Sequence, residues 1–216
     1  MIKAVLFDLD GVLIKTEHET FKFYQDYLEK KGINLRDSDF KFKAGRKSKD
    51  FWNDVLTLEQ KKIIDFEKLT QLKREEFNTE PDKYVTKVDG GEELLKLLKK
   101  NNFKLAIISQ NESQMISSMA DWLNIREFFE VILSIDDITN LKPDPEIYLL
   151  AAKKLGVTSN ECVVIEDSKD GIGSAKNAGM KCIGVKHNFM PKGTYDQADT
   201  TVKKLSEINL NLINSL

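Results

Sequence analysis

Short apolar runs alternating with segments of helical spacing constrain this chain most. Residues 2–8 are nearly all apolar, as a strand buried on both faces requires, and similar runs recur at 103–108, 131–133, 162–165 and 182–185. Helix-like segments fall at 91–100, 113–123, 145–155 and 169–178. Strand alternating with helix implies crossover connections and a parallel sheet, an α/β fold. Gly156, Gly171, Gly173 and Gly179 fall at or near the expected helix ends, where glycine suits caps and turns. A short strand and a closing helix are expected within 202–213. Residues 16–85 break the rhythm. There Phe21, Tyr24 and Leu28, then Phe51 and Val55, then Ile63, Phe66 and Leu69 recur at helical spacings without a strand. The expectation is an α/β core of residues 1–15 and 86–216 with a helical cap inserted at 16–85. Pro81 and Asp89-Gly90-Gly91 mark the return linker.

Bulk properties narrow the function. The chain has 216 residues, enough for a core domain and a smaller insert, with 41% hydrophobic and 31% charged residues. A formal net charge of -2 supplies no basic field for nucleic acid. No apolar run approaches the roughly 18–20 residues of a membrane span. The N-terminus enters a strand at once, so no signal peptide is expected, and the protein is expected to be cytoplasmic and monomeric. Cys162 and Cys182 lie in strand-like runs and are expected as reduced, buried thiols. Two histidines without a Cys/His cluster argue against zinc.

In open α/β sheets, ligands bind outside the carboxyl ends of the strands. The first strand delivers Asp8 and Asp10 there, two apart and on one face of an extended backbone. Two like charges held that close need a cation or a proton. The second strand delivers Ser109, Gln110 and Asn111; the loop after the third carries Lys142-Pro143-Asp144-Pro145; the fourth delivers Glu166-Asp167-Ser168. Each has a bland reading: a surface Asp pair, a helix-capping Ser or Glu-Asp, a solvated lysine. Together, in this order, they suit a phosphoryl group beside a divalent cation. A carboxylate attacks phosphorus and divides one displacement into two. Mg²⁺ takes a few hard oxygen ligands and keeps its waters. A lysine and hydroxyl balance the phosphate oxygens, and a second acid serves the leaving group and then the water.

These motifs resemble those of the haloacid dehalogenase superfamily, in its β-phosphoglucomutase and phosphoglycolate-phosphatase subgroup, over essentially the whole chain. The resemblance implies a Rossmann-like parallel sheet core with a small inserted α-helical cap. It implies Asp8 as nucleophile and Asp10 as general acid/base, with the Asp10 backbone carbonyl also on the metal. It implies Ser109, with Gln110, and Lys142 as phosphate ligands, the lysine lying within Lys-Pro-Asp-Pro-Glu-Ile-Tyr. It implies Mg²⁺ held by Asp8, Asp10, Asp167 and Glu166, with Asp167 the direct ligand of the last pair and Asp170 nearby. Thr16 matches a hinge position. Gly45, Arg46 and Lys49, with Lys47 and Ser48, resemble a cap loop that faces the substrate, against the alternative of a solvated helix start.

Three departures from the sugar-phosphate mutases bear on the reaction. Thr20 stands where they carry histidine, Ser48 where they carry arginine, and the region of Glu112 where they carry lysine. His18 and Arg46 or Lys49 are the nearby substitutes. A mutase must hold a bisphosphorylated intermediate, so hydrolysis is the favoured expectation: a Mg²⁺-dependent phosphatase acting on a small phosphorylated metabolite, a sugar or polyol phosphate, through an aspartyl-phosphate. A β-phosphoglucomutase-like mutase is the alternative. A phospho-accepting signalling domain is opposed by Asp10 and the long insert, and a non-catalytic binding module by the intact set of polar residues.

Overall fold

The computed structural model describes residues 1–43 and 48–216, with the side chains of 42, 43, 48 and 49 left out. A six-stranded parallel sheet is built from β1 (Ala4–Phe7), β4 (Lys104–Ile108), β5 (Val131–Leu133), β6 (Cys162–Glu166), β7 (Lys181–Val185) and β8 (Thr200–Val202) in the order β5-β4-β1-β6-β7-β8. Two short strands, β2 (Ile14–Lys15) and β3 (Thr86–Lys87), pair separately. Ala4 of the central β1 lies between Lys104 and Cys162.

Every residue of β1 is buried, which explains its unbroken apolar run. Its alternate residues serve opposite faces. Ala4 and Leu6 join Ala106, Ile108, Cys162 and Val164 against Ile147, Tyr148 and Ala151 of α9 (Glu146–Leu155) and Ile172 and Ala175 of α10 (Lys169–Asn177). Val5, Phe7, Leu105, Ile107, Val163 and Ile165 of the other face are equally buried. Each large side chain so enclosed stabilises the fold by roughly 1.5–3 kcal/mol. The connecting helices include α7 (Gly91–Lys100) and α8 (Ser113–Leu123), and α11 (Leu210–Asn214) ends the chain. Gly156 caps α9 in the left-handed conformation, φ +66°.

Two expected helix-end glycines lie inside α10 instead. Gly171 is in its first turn and Gly173 at its centre. Gly171 is required by proximity: a Cβ there would stand 1.7 Å from Glu166 Oε1. Cys162 and Cys182 are free and buried. Burial pushes the Cys162 thiol up to about 11. Among the described residues no helix is long and apolar enough to cross a membrane.

The chain divides into two compact units. One comprises Met1–Lys15, Lys87–Asn188 and Lys192–Leu216; the other, Thr16–Thr86 and Phe189–Pro191. The second unit is helical: α1 (Glu17–Glu29), α2 (Phe40–Lys43), α3 (Ser48–Val55), α4 (Leu58–Lys62), α5 (Phe66–Thr79) and α6 (Pro81–Tyr84). Aromatic rings fill its interior, with Phe77 stacked on Tyr84 at 4.7 Å and Tyr24 against Trp52 at 4.7 Å. Phe189 belongs to it through Phe40, 5.6 Å away, and His18, 6.1 Å away. Nothing in the spacing of residues 16–85 announces that later segment.

Candidate active site

Polar residues gather where β1, β4 and β6 end. Asp8 extends the ladder by one bond, its N–H donating to the Ile165 carbonyl at 3.0 Å. Ser109 does the same beyond β4, donating to Leu133 O at 3.0 Å. Both side chains are buried. The segment before α9 brings in Lys142, also buried. Its Nζ donates to Asp8 Oδ1 at 2.6 Å and to Glu166 Oε1 at 2.7 Å, and it lies 5.1 Å from the centre of the Tyr148 ring. This is a buried carboxylate–ammonium–carboxylate arrangement, with the Asp8 side chain 12% exposed.

Glu166, expected among the metal ligands, lies among several protein donors. Its Oε1 accepts from Lys142 and from the Tyr148 hydroxyl at 3.1 Å. Its Oε2 accepts from the Asp167 N–H at 2.9 Å and from the Ser168 N–H and hydroxyl, each at 3.0 Å. Both oxygens are engaged by protein donors, so Glu166 serves as the anchor of Lys142. Ser168 in turn caps α10, its Oγ accepting the Gly171 N–H at 3.0 Å.

The charges follow from this geometry. Burial disfavours the Lys142 ammonium, but Asp8 and Glu166 outweigh it and hold its pKa well above the lysine range. Burial would raise Glu166, yet Lys142 and the Ser168 donors hold it below the ordinary value. Asp8 lies well above the carboxylate range because burial exceeds the pull of Lys142, and Glu166 and Asp10 add repulsion. One ammonium is shared by two acids, and the acid with fewer donors carries the strain.

Asp10 lies beyond Asp8 and accepts from Asn111 Nδ2 at 2.6 Å. The Asn111 N–H also donates to Ser109 Oγ at 3.1 Å. Gly11 follows with φ +74°, a left-handed conformation, and its N–H donates to Ile14 O at 2.7 Å. A Cβ on Gly11 would stand 1.9 Å from Asp167 Oδ2, so the Asp167 carboxylate occupies the place of a side chain there.

The structure thus joins Asp8, Lys142 and Glu166 in one network, Asp10 and Ser109 through Asn111, and Asp167 to the Gly11 backbone. The Gln110 Nε2 is buried with no hydrogen-bond partner among the described residues. Thr16 is buried at the N-terminus of α1 in the second unit. Gly45 and Arg46 lie outside the described residues, as does the side chain of Lys49. Asn111, named at the second strand end, had no role assigned to it there, and neither Tyr148 nor His187 was a candidate. Asn111 carried a signal, standing two residues after Ser109 as Asp10 does after Asp8. Tyr148 is the one polar tip on the buried face of α9. His187 follows the end of β7, where the strand-end rule also points.

A family model described as haloacid dehalogenase-like hydrolase matches residues 5–185. YhcW of Bacillus subtilis (strain 168) is 33% identical over 213 residues, 99% of this chain and 96% of that protein. The phosphorylated carbohydrates phosphatase of Thermotoga maritima is 31% identical over 190 residues, 87% of each protein. The crystal structure of β-phosphoglucomutase from Clostridium difficile matches with a TM-score of 0.77 at 26% identity, covering 100% of this chain and 96% of that one.

Proposed function

This chain belongs to the haloacid dehalogenase-like hydrolases and is a phosphatase of phosphorylated substrates, and we propose that it hydrolyses a small sugar or polyol phosphate with Mg²⁺ through an aspartyl-phosphate. The observation that carries this reading is the buried Lys142 ammonium, 2.6 Å from Asp8 Oδ1. It orients a carboxylate at a strand end and sets an ammonium donor beside it.

The donor set fits Mg²⁺. Asp8 and Asp167 supply carboxylate oxygens, and the Asp10 carbonyl supplies a third hard ligand. Among the described residues no three His, Cys, Asp or Glu side chains close into a protein-only cage. Mg²⁺ takes a few hard oxygen ligands from protein and completes its shell with water and substrate oxygens. When bound, it neutralises charge on the phosphoryl oxygens.

In the first step a carboxylate oxygen of Asp8 bonds to phosphorus while the bond to the ester oxygen breaks. Protonated Asp10 gives its proton to the leaving alkoxide. In the second, Asp10 takes a proton from water as that water attacks phosphorus, and the Asp8–phosphorus bond breaks. Asp8, protonated Asp10 and inorganic phosphate result. Ser109, Gln110 and Lys142 hold the phosphate oxygens, the Gln110 Nε2 being a buried donor in want of an acceptor. The Thermotoga relative's activity on phosphorylated carbohydrates supports the substrate class.

The likeness to a β-phosphoglucomutase favours a mutase as the second reading. Thr20, at the position of the mutases' histidine, is buried in α1 and brings no charge. The test is phosphate release from a panel of phosphomonoesters, with and without Mg²⁺, beside Asp8→Asn. Release that needs Mg²⁺ and vanishes in the variant is expected. Activity kept by Asp8→Asn would overturn the mechanism. Conversion of β-glucose 1-phosphate to glucose 6-phosphate without phosphate release would establish the mutase.

A further inference from the structure

His187 lies just beyond the end of β7 and has no part in the steps above. Its backbone N–H donates to the Tyr195 hydroxyl at 3.0 Å, which fixes the chain but leaves the ring to other work. The ring Nε2 lies 2.8 Å from the Gly11 carbonyl oxygen. A carbonyl only accepts, so Nε2 carries the proton and donates. The same nitrogen is 3.6 Å from Asp167 Oδ2, and the two side chains are only 13% and 10% exposed. The Gly11 N–H is already taken by Ile14. With His187, both peptide groups of Gly11 are tied. The Asp167 carboxylate fills the space beside Gly11 that a Cβ would need. One imidazole therefore spans the loop that carries Asp10 and the carboxylate of Asp167.

We infer that His187 is a positioning residue of the divalent-cation site, setting the Asp10–Gly11 backbone against the Asp167 carboxylate. The inference rests on the Mg²⁺ reading above. Mg²⁺ demands near-octahedral oxygen geometry at short distances, so a loosened ligand pair holds it poorly. Groups that orient metal ligands without touching the metal contribute about 10–100-fold to affinity.

The test is Mn²⁺ titration into the metal-free protein, with free Mn²⁺ read by electron paramagnetic resonance. His187→Ala keeps the backbone bond to Tyr195 and is expected to bind Mn²⁺ about tenfold more weakly. His187→Gln carries an amide donor at similar reach and is expected to restore most of the affinity. At saturating Mg²⁺ the substrate KM should be unchanged in both. Wild-type affinity in His187→Ala, or equal weakness in His187→Gln, would overturn the inference. Asp167→Ala separates the two levels: if it binds Mn²⁺ as the wild type does, the metal reading itself falls, and this inference with it.

Discussion

Lys142 offers one positive charge to two largely buried carboxylates. Removing it leaves Asp8 and Glu166 buried without a counter-charge, and breaking such an arrangement from one side costs roughly 3–5 kcal/mol. Lys142→Met should therefore lower the urea midpoint by that equivalent and abolish phosphate release. Adding Glu166→Gln should recover part of the stability and none of the activity, which equilibrium unfolding and a phosphate assay read separately. The contrast matters because a lysine that only bound substrate would leave the unfolding curve unmoved. Glu166 and Asp167 also show what a sequence withholds at this scale. They are adjacent acids in one motif, yet the first turns to Lys142 and the second to Gly11. Neighbours in an extended chain face opposite ways, and which faces which depends on the strands beside them.

At the scale of elements, close approach decides. Alanine ordinarily favours a helix over glycine by about 1 kcal/mol. At Gly171 the added Cβ would collide with Glu166 at 1.7 Å, whereas at Gly173 it would meet Pro143 Cβ at 3.4 Å. Gly171→Ala should cost about 1–3 kcal/mol by overpacking and displace the anchor of Lys142, while Gly173→Ala should be tolerated; thermal melts of the pair check this. The amino ends of β1 and β6 are joined by Lys3 and Glu161. Hydrogen bonding from Lys3, with donors from Thr158, holds Glu161 at about 2, against an ordinary value of 4.5. Its contribution to stability is complete above about pH 4.5 and is lost as pH falls toward 2. An NMR titration should find that low pKa, and Lys3→Ala should raise it. The core was legible in the sequence because its strands are unbroken apolar runs and its helices carry a strong helical period, although the last strand, expected within 202–213, lies at Thr200–Val202. The capture of Phe189–Pro191 by the second unit was not, since three residues carry no period.

At the scale of the whole molecule, the central strand depends on partners far along the chain. Ala4 pairs with Lys104 on one side and Cys162 on the other. Such pairing closes long loops before it gains contacts, which slows its formation. The helices of the second unit rest on nearer contacts, so pulse-labelled hydrogen exchange during refolding should protect α5 before β1. Leu6→Ala should cost about 2–5 kcal/mol, because the centre of the sheet cannot collapse around the void. The order of strands could not be read from the sequence, which lists elements but not neighbours. The carboxyl-end rule was nonetheless enough to bring Asp8, Ser109, Lys142, Glu166 and Asp167 to one edge. Two of the positions that shape that edge are defined by missing atoms. Gly11 and Gly171 each cede the volume of a methyl group to a carboxylate. In a saturation library selected for function, both should therefore be as intolerant as the acids they accommodate, and a natural variant at either would be misjudged by any scale that scores glycine to alanine as mild.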